Sequence, residues 1–385
     1  MRFADNRNKI GKYIPAVVFL IFIYGMALWF IFSPKPDYSS SEKRYLQKFP
    51  EVTAEKLLSG EFGSEFETFF ADRFPQRNTW VGLNAYTALA VGNNGASGVY
   101  NCKNGYLINK PVSTENNLDK NIGAVADFAK SIDTPTTVML VPSTGYIVDD
   151  VLPTFHDKYN DDEDINKISS TLSKDKIGFV DLRERFKSEY KNGSQLYYKT
   201  DHHWTTKGAY TGYQELCKAL GITPIDDSTL KKDSYPDFYG TTYSSSGFWL
   251  TPPDNIEIWN NPKNSDRNIS VKITEGANIK TSGSMYFTDH LKEDDKYPVF
   301  IDGNHALTEI TNTNAKNGTI LLIKDSFSHS LAPFLAENYS KVVLVDLRYY
   351  KERVSDLVTT YNPEQVVVLY GIDNLATDTD IVWLK

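Results

Sequence analysis

From Ile14 to Phe32 the chain runs nineteen residues, IPAVVFLIFIYGMALWFIF, without a charge. Wound as a helix at 1.5 Å per residue, that run reaches roughly 28 Å, close to the hydrocarbon thickness of a bilayer. No later segment has the length and apolarity to span, so everything after it is expected to lie on one side of a membrane. Tyr13 and Trp29 stand near its ends, where amphipathic rings suit the interface. The tail ahead of it carries Arg2, Arg7, Lys9 and Lys12 against Asp5. That bias places residues 1–12 in the cytoplasm and the bulk of the chain outside, although Lys35, Lys43, Arg44 and Lys48 follow on the far side. The competing assignment is a cleaved signal peptide. Its apolar core is usually about 7–15 residues long and ends at an A-x-A site, and this run is longer with no such site. Residues 13–33 are therefore read as an uncleaved transmembrane helix.

Residues 34–50, with prolines at 34, 36 and 50, read as a stalk, and 51–385 as the extracytoplasmic domain. The composition, 41% hydrophobic and 23% charged, is that of a folded globular chain rather than a disordered one. Acidic residues outnumber basic ones 49 to 41, a net charge of −8, which leaves no basic footprint for a nucleic acid. Cys102 and Cys217 are too few for a disulfide scaffold or a cysteine zinc cluster, and whether they pair stays open.

Phe62, Phe66, Phe69, Phe70 and Phe74 recur at three- and four-residue intervals. This predicts an amphipathic helix whose aromatic stripe packs into a core. A second helical stretch covers 78–91, and 98–108 reads as a hairpin turning at Asn104-Gly105. From about 116 onward, strand alternates with helix. Strands are predicted at 136–142, 178–182, 319–325, 341–347 and 364–371. Helices are predicted at 163–173, from 205 to near Gly221, at 329–338 and at 350–361. Continuous Val/Ile/Leu strands joined by helices imply an α/β fold, a parallel sheet covered on both faces. Between 222 and 296 the periodicity weakens and Ser, Asp, Asn, Pro and aromatics accumulate. This is expected to be an insertion that serves either as a substrate wall or as packed embellishment.

Two places carry chemistry. In YYKTDHHWTTKGAY (197–210), Asp201, His202, His203 and Trp204 put an acid, two imidazoles and an indole in succession. If a strand ends before this run, Asp201 and His203 point to one face and His202 to the other. Asp201 would then orient the His203 imidazole, which is what a general base requires. A structural histidine beside a capped helix start is the plainer alternative. In LLIKDSFSHSLAPFL (321–335), Ser326 follows a buried strand and precedes a helix, at the edge where parallel sheets place their sites. Backbone N–H groups there suit a developing oxyanion. Ser326 needs a base to react and is otherwise a helix cap. His329 is a second candidate base; His203 is preferred because Asp201 supplies a partner. Ser328 and Ser330 lie beyond the turn.

These blocks in this order, with VDLRYY (345–350), ETFFADRFPQRNTW (67–80) and GVYNCKNGYLI (98–108), resemble the DHHW protein family. That family is similar to the SGNH-hydrolase-like alginate O-acetyltransferases, whose D-x-H block precedes the serine block, the reverse of most SGNH enzymes. The resemblance implies an SGNH-hydrolase-like parallel sheet flanked by helices with permuted block order. It also implies Ser326 as nucleophile, His203 as base and Asp201 as its partner, with His202 at the variable x. It implies acetate as the acyl group and an extracellular or cell-wall polysaccharide as acceptor. A multipass membrane O-acyltransferase would be the acyl supplier. No cofactor and no metal are implied, and adjacent His202 and His203 poorly suit one ion. A carbohydrate acetylesterase would use the same three residues, and a non-catalytic scaffold of a polysaccharide-modification or export complex would need none of them.

The chain departs from the pattern in two places. Lys324 stands where a glycine is usual. Gly371-Ile372-Asp373-Asn374 transposes the last two residues of G-x-N-D. Asn374, or Gly303 and Asn304, are the candidate oxyanion or substrate residues, each with an ordinary turn as the alternative. Arg348 is expected to bind an anionic group or pair with a carboxylate. Asp72, Arg73 and Arg77 read as structural ion pairs. Phe248, Trp249 and Trp259 are candidates for stacking on sugar or for core packing.

Overall fold

The computed structural model describes residues 2–112, 117–175 and 177–384. The chain divides into two compact units, Met1–Thr87 and Ala88–Lys385.

In the first unit one helix runs Arg2–Phe32, and its Tyr13–Phe32 portion is long and apolar enough to cross a bilayer. Shorter helices follow at Ala54–Ser59, Glu61–Asp72 and Arg77–Ala90. The aromatic stripe does not form a core. Phe66 and Phe70 are 40% and 43% exposed, while the buried residue of the Glu61–Asp72 helix is Asp72. Phe62, Phe66 and Phe69 gather around Phe49, and Phe70 meets Phe30 at 4.7 Å between ring centres. The face is met by single rings, Phe49 and Phe30, rather than by a packed layer, so Phe66 and Phe70 stay partly exposed. Past the helix end the contacts turn ionic, with Arg73 lying over the Phe69 ring. Asp72 takes a two-pronged bond from Arg44 at 2.6 and 2.9 Å, Arg73 reaches Asp37 at 3.0 Å, and Arg77 pairs with Glu42.

The second unit is built on an eight-stranded sheet, numbered here in chain order. The strands are β1 (Thr136–Val141), β2 (Gly178–Asp181), β3 (Ile269–Glu275), β4 (Asn278–Ser282), β5 (Leu307–Asn312), β6 (Asn317–Lys324), β7 (Tyr339–Val345) and β8 (Gln365–Gly371). Their spatial order is β4-β3-β5-β7-β6-β8-β1-β2. The five from β7 to β2 are parallel, and β5, β3 and β4 extend the sheet antiparallel.

The parallel block has two covered faces, and the two-residue alternation of a strand shows it directly. Ile320, Leu322, Val342, Leu344, Val367 and Leu369 join the core under the helices Thr206–Leu220 and Ser328–Leu335. The residues between them, Leu321, Ile323, Val343, Val345, Val366 and Val368, join a second core under the helices Leu118–Ser131 and Val354–Tyr361. The five predicted strands are β1, β2, β6, β7 and β8 with ends shifted by one or two residues. The helix predicted from 205 is Thr206–Leu220, capped by the Thr205 hydroxyl and closed by Gly221 at φ 68°.

The 222–296 segment contributes in two ways. Lys231–Phe238 and Asp254–Asn260 pair as an antiparallel ribbon. Beyond them, β3 and β4 belong to the main sheet itself. In β3 only alternate residues, Ile269, Val271 and Ile273, are buried, which is why no continuous apolar run marks it. Cys102 and Cys217 are free and buried, and burial pushes both thiols up to about 12.

Candidate active site

Ser326 sits in the turn between the end of β6 and the helix Ser328–Leu335, 8% exposed. The residue before it builds the turn. Asp325 Oδ1 accepts the Phe327 N–H at 2.9 Å. Its Oδ2 accepts the Gly371 N–H at 2.8 Å and the Asn374 Nδ2 at 2.7 Å. The Ser326 turn is thereby tied to the end of the neighbouring strand β8. The Ser326 backbone N–H has no acceptor among the described residues.

The other half is a tight loop closed by pairing of Tyr197 with Trp204. Asp201 and His203 meet through this turn, not through strand alternation. Asp201 Oδ1 accepts both the His203 N–H at 2.8 Å and its Nδ1 at 2.5 Å. With Nδ1 so engaged, Nε2 faces the Ser326 Oγ at 2.7 Å and can accept its proton. Burial alone would raise the Asp201 carboxyl, but the imidazoles of His203 and His202 outweigh it and hold the group well below the usual carboxylate range. Asp201 therefore stays ionised opposite His203, as the stabiliser of an imidazolium must.

The indole of Trp204 joins the two halves. Its Nε1–H donates to the Phe327 carbonyl at 3.0 Å and to the Ser330 Oγ at 2.9 Å. His202 turns its Nδ1 to the Thr241 hydroxyl at 2.7 Å. Burial and the neighbouring His203 lower it to about 4, so it is neutral at ordinary pH.

Four supports gave no motif in the sequence. Asp201 Oδ2 accepts the Thr241 N–H at 2.7 Å and its hydroxyl at 3.1 Å. Gly240 lies so close to Asp201 that any Cβ there would collide with the carboxylate. Asp254 gathers the start of the loop, accepting the N–H groups of Lys199 and Thr200, the Thr200 hydroxyl and the Gln195 amide. The Tyr297 ring stacks on the His203 imidazole at 4.0 Å with a 10° tilt, and its hydroxyl donates to the Ser326 carbonyl at 3.1 Å. Gly240, Thr241 and Asp254 all come from the aperiodic segment, and Tyr297 follows it by one residue.

The remaining candidates are placed as follows. His329 faces Lys324 at 2.8 Å rather than Ser326, and burial followed by the Lys324 charge holds it well below the usual imidazole range. Lys324 itself is buried against Asp346 at 2.9 Å, so the residue that departs from the family glycine founds a separate polar cluster. Arg348 grips Asp346 through Nε and Nη2 at 2.9 and 2.6 Å and reaches the Asn304 Oδ1 at 2.8 Å. Gly303 ends a left-handed run with Ile301 and Asp302, at φ 84°. No hydrogen bond links Gly303, Asn304 or Arg348 to Ser326 among the described residues. The Asn374 amide is engaged with Asp325. Ser330 is held by Trp204, and Phe248 and Trp259 are buried in packing. Asp201, His202 and His203 present donor atoms within 4.8 Å of one another, the spacing of a small cation cage. A cation there would compete with the Ser326, Asp201 and Thr241 bonds already made by those imidazoles.

The sequence matches the DHHW protein family over residues 112–345, more than half its length. The chain belongs to the DHHW family. The four residues of that name are those just described: His203 meets Ser326, Trp204 meets Phe327 and Ser330, and Asp201 and His202 share Thr241. Among solved structures, this DHHW chain resembles a DHHW family protein from Eubacterium siraeum, with TM-score 0.63 and 17% identity over 75% of this chain and 95% of that one. It also resembles PatB1 of Bacillus cereus, solved with a sulfonyl adduct, with TM-score 0.61 and 21% identity over 74% and 97%. At these identities the likeness is one of fold. A comparison with curated proteins finds no significant match.

Proposed function

We propose that this DHHW protein is a serine acyltransferase that moves an acetyl group through an acyl-Ser326 intermediate onto a hydroxyl of an extracellular or cell-wall polysaccharide. The observation that carries this reading is the unbroken chain Asp201 Oδ1, His203 Nδ1, His203 Nε2, Ser326 Oγ, with links of 2.5 and 2.7 Å. The resemblance of its sequence blocks to O-acetyltransferases of the same block order supplies the acyl group and the acceptor.

In the first half-reaction, His203 Nε2 takes the Ser326 proton as Oγ bonds to the acyl carbon. The tetrahedral oxyanion is met by the unengaged Ser326 N–H, a term of about 10²–10³ in rate per donor. Collapse breaks the bond from the acyl carbon to the donor oxygen, and His203 returns the proton to that leaving group. In the second half-reaction, His203 takes the proton of a sugar hydroxyl as that oxygen attacks the acyl carbon. Collapse then frees Ser326, which receives the proton back. Asp201 keeps its charge throughout. Tyr297, stacked on the base, restrains the imidazole plane.

The apolar helix would anchor the domain outside the cytoplasmic membrane, beside a multipass O-acyltransferase that supplies the acyl group. The test is partition. The full-length protein in detergent is given an acetyl ester, with and without oligosaccharide. Acetylated oligosaccharide formed at the expense of free acetate is the expected result. Acetate release unchanged by any acceptor would make the protein an esterase.

A further inference from the structure

Next to Phe327, the residue after Ser326, and the end of β8 lies a cleft whose walls include Ser143, Thr144, His202, Phe327, Asp373 and Asn374; Asp201 borders it, while Ser326 and His203 stand behind its lining. Its charge content is unusual for a site expected to handle polysaccharide. Among the described residues lining it there is no lysine or arginine. The acids are Asp201 and Asp373, and the charge of Asp201 is spent on His203. Arg348, whose charge is felt at His202, is committed to Asp346 and Asn304.

Asp373 is the open acid. Its Oδ1 accepts the Ser143 hydroxyl at 3.1 Å, while its Oδ2 makes no hydrogen bond among the described residues. Ser143 is itself fixed from behind, its N–H on the buried Asp161 at 2.7 Å. The cleft thus holds a carboxylate in a set orientation, neighbouring hydroxyl and amide groups, and an apolar flank from Phe327. A carboxylate accepts from sugar hydroxyls, and a ring such as Phe327 suits the C–H face of a pyranose. The same carboxylate repels an anionic sugar at close range, where water screens poorly.

We propose that this cleft is the acceptor subsite and that Asp373 sets its specificity: it takes a hydroxyl-rich sugar without negative charge and turns away uronates and phosphate-bearing polymers. The assignment of the cleft to the acceptor rests on the acyl-Ser326 reading above; its preference for uncharged sugar does not. Burial, with the Asp164 charge adding to it, raises the Asp373 carboxyl to about 6, and the buried Asp161 that faces it is raised to about 7, so the selection belongs to the pH range above these, where Asp373 is ionised.

The test measures binding, so that it stands apart from catalysis. Full-length Ser326→Ala protein in detergent is titrated at pH 7.5 with N-acetylglucosamine oligomers and with oligouronates of equal length. The neutral oligomer is expected to bind at least 10-fold more tightly. Asp373→Asn, close to isosteric, should shrink that ratio to threefold or less, and Asp373→Lys should invert it. Equal or tighter uronate binding by the parent, a preference that survives Asp373→Asn, or no measurable binding of either oligomer would overturn the proposal. If the preference is present but the unmodified protein forms no acetyl-Ser326, the acyl-serine reading falls and the selective subsite stands.

Discussion

Ser326 and His203 meet at 2.7 Å, but the chain holds them by different means. Ser326 follows by two residues the end of a parallel strand buried on both faces, and backbone geometry delivers it to the sheet edge. One carboxylate, Asp325, completes the turn. His203 belongs to no strand or helix. A set of side chains fixes it: Asp201 on one nitrogen, Thr241 behind Asp201, Asp254 under the loop's entry, and Tyr297 against its face. The two acids show the same contrast electrostatically. Asp201 lies well below the usual carboxylate range because imidazoles adjoin it. Asp325 is raised, because burial outweighs the amides that bond it. A regular scaffold thus holds Ser326, and an irregular one holds His203 against Asp201.

The contrast can be broken first at the reacting atoms. Ser326→Ala and His203→Ala should each lower acyl transfer by at least about 10³-fold, and the double variant should lose little more, since a catalytic unit fails as a whole. Additive losses would mean that the two residues act separately. Next comes Asp201→Asn, expected to cost about 10²–10⁴ in kcat with the fold intact, because an amide neither fixes the tautomer nor faces an imidazolium. A loss below tenfold would move the base to another residue.

On stability the halves should differ. Asp254→Ala strips several donors of their acceptor and is expected to cost about 2–4 kcal/mol in chemical unfolding, with activity falling through a loosened His203 loop. A native-like unfolding midpoint would show that the loop is held elsewhere. The smallest effect is one of pH. Asp325 is raised in the fold, so its contribution is fully present below about pH 4 and is lost as pH rises through its folded value. Asp201 is depressed, so its contribution is present above about pH 4 and lost as pH falls. The stability of Asp325→Asn relative to parent should therefore improve from pH 4 to pH 7, whereas that of Asp201→Asn should hold level over that range and improve only as pH falls below about 4. Parallel trends would contradict the assigned electrostatics.

The same division explains what the sequence made legible. β6, β7 and β8 show as continuous apolar runs because both faces are covered, and Ser326 follows from the end of one of them. Asp201 and His203 are legible as a pair because they lie two residues apart, though the turn that joins them is not. Thr241, Asp254 and Tyr297 act from 38 to 94 residues beyond His203. Their effect is one of tertiary placement, and no local period or spacing encodes it. The Phe62–Phe74 stripe misleads for a related reason: its period states that one face is apolar, not that another layer exists to cover it. Lys324 stands out as a departure in sequence, and the structure makes it a buried partner of Asp346 and His329.

The measurement closest to the central claim is mass spectrometry of the full-length protein after brief exposure to an acetyl ester. An addition of about 42 Da, the mass of an acetyl group replacing a hydrogen, is predicted on the peptide carrying Ser326. It should be absent in Ser326→Ala and much slowed in His203→Ala. Turnover with no adduct on Ser326, or an adduct that forms equally fast without His203, would contradict it.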